Sequence, residues 1–186
     1  ILGYFSDIGL AASLIQKKDK VSLTDLRTTF TVQQVIVLLL LLLAFFLTPW
    51  LSNFYHITGS GLWLLYGLLA AFFLASLKTI PSIILERQLQ FKQLAAVEVI
   101  ETLVFYCVAV LLAWQGKGVV SYAWAVILRG VVGTILIYVI SPWKIGLAFS
   151  KSSFKTLLDF GLPYQINTLV ATVKDRFINI ILWKII

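Results

Sequence analysis

The chain is short of charge. Asp, Glu, Lys and Arg together make up 12% of its 186 residues, against about a quarter in soluble domains. Hydrophobic residues account for 60% and aromatic ones for 14%, and the mean hydropathy is +0.97. This composition excludes a water-soluble globular domain and leaves a membrane protein. Acids are scarcer than bases, which gives a net charge of +7. Nucleic-acid binding would need those cations on one surface, whereas they stand in short clusters between apolar stretches, so no nucleic-acid partner is expected.

Other absences narrow the chemistry. The single cysteine excludes an internal disulfide, and Cys107 sits in an apolar run, which predicts a packed thiol. His56 is the only histidine and falls in a turn-like stretch, where an interfacial residue is expected rather than a ligand. There is no Gly-rich phosphate loop followed by Lys-Ser or Lys-Thr, and no sizeable extramembrane segment to carry an active site. We therefore expect no enzyme, no catalytic or metal-binding residue and no cofactor. Methionine is absent altogether, and the chain starts and stops inside apolar patterns, ILGYFSDIGLAASLIQ and INIILWKII. An internal piece of a longer protein is expected. The opening stretch carries Asp7 and lacks a basic leader or a small-residue cleavage site, so it does not read as a signal peptide.

What is present is apolar runs of membrane length. From Thr28 to Leu77 there are fifty residues without Lys, Arg, Asp or Glu, too many for one crossing, since a helix needs about 20 residues to span about 30 Å of hydrocarbon. The break is placed at PWLSNFYHITGSG, residues 49–61. The reading is of spans at about 28–48, 61–78, 94–114 and 119–140, the last two separated by Gln115-Gly116-Lys117-Gly118 and closed by Ser141-Pro142. Residues 1–16 read as the tail of a further helix, 141–156 as a connector, and 157–186 as the start of another helix. Pro81 is expected to end its span, with an interfacial, amphipathic turn over Glu86, Arg87, Gln88, Gln90 and Lys92.

Lys and Arg are retained on the cytoplasmic side. Connectors 17–27, 78–92 and 141–156 hold ten of them, and the alternating connectors only Lys117. The first three are therefore expected in the cytoplasm.

A few polar residues fall inside spans, where they are costly unless they face protein or water. Glu98 and Glu101 are three apart, hence on one helix face, and are candidates for ion coupling or for simple pairing with Lys or Arg. Arg129 is mid-span, beyond snorkelling reach, with Gly130 and Gly133 beside it for close helix approach. On the last helix, counted at 100° per residue from Tyr164, Gln165, Asn167, Thr168, Thr172, Lys174, Asp175, Arg176 and Asn179 fall on one arc of about 200°. Asp175 is central, between Lys174 and Arg176. Such a face suits a hydrated interior, either as an ion-pair cluster locking helices or as a cationic surface for an anionic group such as a phosphate, with Arg suited to bidentate contact. Arg129, Lys174, Asp175, Arg176 and Asn167 are the substrate-binding candidates.

The ordered segments SDIGLAASLIQKKD, LRTTFTVQQ, LTPWLSNFY, IPSIILERQLQFKQLAAVEVIE and FGLPYQINTLVATVKDRFINIIL resemble the polysaccharide biosynthesis (Wzx-type) oligosaccharide flippases of the MOP exporter superfamily. The resemblance covers the chain in order. It implies an all-α, polytopic transmembrane helix bundle of MATE-like fold, with residues 1–140 in an N-terminal lobe, 141–156 a cytoplasmic inter-lobe connector and 157–186 the first helix of the C-terminal lobe. It further implies a multi-pass protein of the bacterial inner membrane. Such a protein moves undecaprenyl-pyrophosphate-linked oligosaccharide across that membrane for O-antigen, capsule or exopolysaccharide assembly, by alternating access around a cationic cavity and with possible proton or sodium coupling. Membrane lipids and other polysaccharide assembly proteins are the further partners implied. A multidrug or cation antiporter of the same superfamily, a membrane-embedded polysaccharide polymerase or ligase, and a structural anchor are the competing readings. The antiporter would want acidic rather than basic lumen residues.

Overall fold

The computed structural model describes residues 8–57 and 59–185, and of 175–185 the backbone alone. Every regular element among the described residues is an α-helix: α1 Leu10–Gln16, α2 Leu23–Phe54, α3 Gly59–Arg87, α4 Phe91–Trp114, α5 Val120–Ile140 and α6 Lys151–Ile185. Helices α2, α3, α4 and α5 are each long and apolar enough to cross a bilayer. The chain is a polytopic helical bundle.

The helices are longer than the apolar runs because three of the four prolines lie inside them. Pro49 is within α2, Pro81 within α3 and Pro163 within α6; only Pro142 follows a helix end. The span expected to stop at 78 therefore continues to Arg87, and the one expected to stop at 48 continues to Phe54. For Pro81 the reason is visible. Proline has no N–H for the carbonyl four residues earlier, and that carbonyl, Leu77 O, instead accepts from the Tyr138 hydroxyl of α5 at 2.9 Å. Apolar surroundings tolerate a proline when a neighbouring helix supplies the missing donor. The last helix starts at Lys151, inside the expected 141–156 connector, where the Ser150 hydroxyl accepts from the Ser153 N–H at 3.4 Å as an N-cap.

Three helix ends turn alike. Leu89, after α3, has φ 56, with Gln90 N–H bonded to Leu85 O at 2.9 Å and Leu89 N–H to Glu86 O at 3.0 Å. Gly116, after α4, has φ 79, with Lys117 N–H on Leu112 O at 3.1 Å and Gly116 N–H on Ala113 O at 2.9 Å. Both are Schellman ends, in which a left-handed residue lets the last amides reach back to free carbonyls. His56, with φ 50, occupies the matching position after α2, where Ile57 N–H reaches Ser52 O at 3.0 Å. The amphipathic turn expected near residue 90 is thus three residues, Gln88 to Gln90, rather than a loop.

The chain divides into two compact units, residues 1–33 with 147–186, and residues 34–146. In the first, α1 packs on α6 through two glycines. A Cβ on Gly161 would lie 2.7 Å from Gly9 O, so the backbones touch there. The segment entering α6 is strapped to the start of α2: Ala148 N–H donates to Thr31 Oγ1 at 3.1 Å and Ser150 N–H to Thr28 Oγ1 at 3.2 Å. The start of α2 is a capping box. Ser22 N–H donates to the Asp25 carboxylate at 3.0 Å and Asp25 N–H to Ser22 Oγ at 3.1 Å, which satisfies two amides that the helix leaves bare.

In the second unit α5 is central, contacting α3 on one side and α4 on the other. Its buried positions are mostly small, Ser121, Ala123, Ala125, Gly130 and Gly133, which is how helices approach closely when lipid is as apolar as their side chains. Gly67 of α3 meets α5 in the same way, with an added Cβ 3.0 Å from Ala123 Cα. The α2 part of this unit is tied to α3 by Gln34 Nε2 donating to Ser76 Oγ at 3.1 Å. Large apolar side chains such as Leu39, Phe46, Val110 and Val139 point outward, as lipid contact requires. Cys107 is also exposed. The expectation of a packed thiol is corrected, because apolar surroundings in the sequence of a membrane helix mark lipid as readily as core.

A mid-span charge cluster as candidate functional site

Three helices of the second unit bring charges to one place. Glu101 of α4 is buried, with 4% of its surface exposed. Its Oε1 lies 2.5 Å from Lys78 Nζ of α3, and its Oε2 lies 3.4 Å from Arg129 Nε of α5. Glu101 is ten residues along from Phe91, Arg129 nine along from Val120, and Lys78 nine before Arg87. At 1.5 Å rise per residue each is about 14–15 Å from its helix end, well inside its span.

The sequence folds this way because α5 makes room. The Glu101 side chain lies across Gly133, where an added Cβ would fall 2.8 Å from Glu101 Cγ and would overlap the carboxylate itself. One turn earlier Gly130 gives the same room to Leu74 of α3, 2.9 Å from an added Cβ. Between them the Thr134 hydroxyl lies 2.7 Å from Gly130 O and 3.3 Å from Leu74 O. Gly130 and Gly133, read from the sequence as permitting close approach, do so toward two different helices.

The cluster holds two cations and one anion. A carboxylate withdrawn from water is costly unless it is paired, and both oxygens of Glu101 are paired. Arg129 is the open member, with 45% of its side-chain surface exposed against 20% for Lys78. What such a group can do is hold an anion at mid-membrane depth, since one positive charge is left over and a guanidinium presents several donors. Among the described residues no three His, Cys, Asp or Glu side chains gather as a metal site.

The sequence candidates are placed as follows. Arg129 and Glu101 meet. Glu98 shares α4 with Glu101 but is exposed, so the two do not act on one buried surface. Asn167 and Lys174 are exposed on α6, in the other unit, and the side chains of Asp175 and Arg176 lie outside the described residues. Lys78, expected in a cytoplasmic connector, lies within α3 and belongs to the cluster. The signal that places it is the resumption of apolar sequence after Pro81, in SIIL before Glu86, since proline is frequent within membrane helices.

The model of the polysaccharide biosynthesis protein family matches the chain over residues 1–186. The chain belongs to that family. With its four apolar spans, it is a multi-pass membrane protein of polysaccharide biosynthesis. Comparison with curated proteins and with solved structures gives no match. Family membership sets the charge cluster in a membrane protein of polysaccharide biosynthesis. It does not by itself choose among transport, polymerisation and anchoring.

Proposed function

We propose that this chain is part of a flippase of the Wzx type, which moves an undecaprenyl-pyrophosphate-linked oligosaccharide across the bacterial inner membrane by alternating access. The observation that carries the proposal is Arg129, a half-exposed guanidinium at mid-span whose one carboxylate partner among the described residues, Glu101, is shared with a second cation. A pyrophosphate crossing hydrocarbon needs a stepping point of positive charge at that depth, and a polymerase would need its catalytic groups at a membrane face instead. A cation antiporter is disfavoured by the same cluster, because its one buried acid is already neutralised. In this reading Arg129 is a cationic contact for the pyrophosphate, Asn167, Lys174, Asp175 and Arg176 stay separate substrate-binding candidates, the protein is a transporter rather than an enzyme, and Glu98 serves proton or sodium coupling.

The test is export of lipid-linked sugar by the full-length protein carrying Arg129→Gln or Arg129→Glu. Loss of flipping by about tenfold or more, with protein level unchanged, is expected, the scale of removing one charge-assisted contact. Undiminished export by Arg129→Glu would overturn the cationic-contact reading.

A further inference from the structure

Lys78 is the part of the cluster with no role in that account, and its geometry gives it one. An arginine that binds a ligand must leave, or share, its carboxylate. If Glu101 had Arg129 alone, each binding event would strand a buried anion inside the span, a penalty large enough to oppose binding. Glu101 is not in that position. Its Oε1 is held by Lys78 at 2.5 Å while Arg129 reaches Oε2 only through Nε, at 3.4 Å. The closer partner is also the more covered one, and the distant partner is the more exposed. Among the described residues the guanidinium makes no other ion pair, so the edge formed by its two terminal nitrogens is available to a ligand.

We propose that Lys78 is the resident counter-charge of Glu101 and, through it, a positioning residue for Arg129: it keeps Glu101 compensated while Arg129 exchanges the carboxylate for a phosphate-bearing anion. Glu101 is then a competitor that holds the arginine in place between ligands. Gly133, by admitting the carboxylate to the surface of α5, sets the point from which the competition acts. The proposal rests on the reading of Arg129 as a phosphate contact, and it makes predictions of opposite sign for two residues in one ion pair.

The experiment measures affinity by calorimetry on the full-length protein in lipid nanodiscs, with inorganic pyrophosphate and farnesyl pyrophosphate as probes. Lys78→Met leaves Arg129 as the sole partner of Glu101 and weakens binding about tenfold, whereas Lys78→Arg keeps the cation and keeps the affinity. Glu101→Gln removes the competitor and tightens binding about threefold or more. The double substitution Lys78→Met/Glu101→Gln restores affinity to about the wild-type value, because no buried anion is then left to satisfy. A merely structural role would make Glu101→Gln weaken binding and the double variant bind worse than either single one; either result overturns the proposal, as does unchanged affinity in Lys78→Met. Should Lys78→Met not fold, the sign of the Glu101→Gln effect decides alone. The ranking is expected with both probes if the phosphates themselves are recognised, and with farnesyl pyrophosphate alone if the source is a lipid headgroup. Wild-type protein that binds neither probe removes the phosphate reading of Arg129 and this inference with it, whereas wild-type binding with the wrong ranking removes only the inference.

Discussion

The Tyr138 hydroxyl donates to Leu77 O at 2.9 Å, filling the acceptor that Pro81 leaves bare four residues later in α3. The bond joins α5 to α3 next to Lys78, so the same proline that lengthens the span also fixes the helix that carries the cluster's second cation. Tyr138→Phe is expected to cost about 1 kcal/mol, the scale of a side-chain hydrogen bond between membrane helices. In Pro81→Ala the helix supplies its own donor to Leu77 O, and there Tyr138→Phe should cost almost nothing. A double-mutant cycle on unfolding in detergent reads the difference; equal costs in both backgrounds would show that the hydroxyl does not serve the proline.

Gly133 has no room for a side chain while Glu101 stays in place. A Cβ there meets the Glu101 carboxylate, which is fixed by Lys78 and cannot swing away without breaking a buried ion pair. Gly133→Ala is expected to destabilise by about 1–3 kcal/mol, the range for overpacking. In Glu101→Ala the obstruction is gone, so the added cost of Gly133→Ala there should fall by more than half. Thermal unfolding of the four proteins tests this, and additive losses would mean that the two residues do not collide.

Much of the fold was legible because hydropathy runs over tens of residues are robust: α4 and α5 begin and end within three residues of their expected places. Prolines account for most of the difference in helix ends. In water they stop helices, and Pro49 and Pro81 read as span ends on that ground, but in an apolar bundle a neighbour's hydroxyl can replace the missing N–H, and that donor, Tyr138, is 57 positions away from Pro81 in sequence. Of the cluster, Arg129 and Glu101 were visible by depth alone. Their pairing was not, since it depends on which faces of α4 and α5 meet, and Lys78 was hidden behind Pro81. Of the left-handed residues that close α2, α3 and α4, His56 and Leu89 lack the glycine that announces such a turn.

Asp25 gives a pH dependence outside the hydrocarbon, since it lies in the first turn of α2, before the uncharged run that begins at Thr28. Burial pushes its carboxyl up, but the Lys17 ammonium at 2.7 Å, the Ser22 amide and hydroxyl, and the Ser153 hydroxyl outweigh burial and hold it at about 2, below the usual 3.8. A lowered folded-state value means that the stabilisation is fully present above pH 3.8 and is lost as the pH falls through about 2. Hydrogen exchange at the start of α2 should therefore accelerate over that interval in the wild type, beyond the intrinsic trend, and be less pH-dependent in Asp25→Asn. Matching profiles would show that the capping box and ion pair contribute nothing.

The direction in which the chain crosses the membrane follows from its basic residues, and moving Lys78 out of the connector tests that argument without weakening it. Arg87 and Lys92 still flank the α3–α4 turn, and with the 17–27 and 141–156 segments they leave nine Lys and Arg on one set of connectors against Lys117 on the other. Retention of basic residues in the cytoplasm then puts Ser152, exposed in the first turn of α6, inside, and Ser60, exposed in the first turn of α3, outside. Cys107 is exposed on α4 and is replaced by alanine so that only the introduced thiol reports. A membrane-impermeant maleimide applied to intact spheroplasts should label Ser60→Cys at once and Ser152→Cys only after lysis. The reverse pattern would invert the topology, placing the α3–α4 turn, with Arg87 and Lys92, on the outer side, against the charge gradient that the rest of the chain obeys.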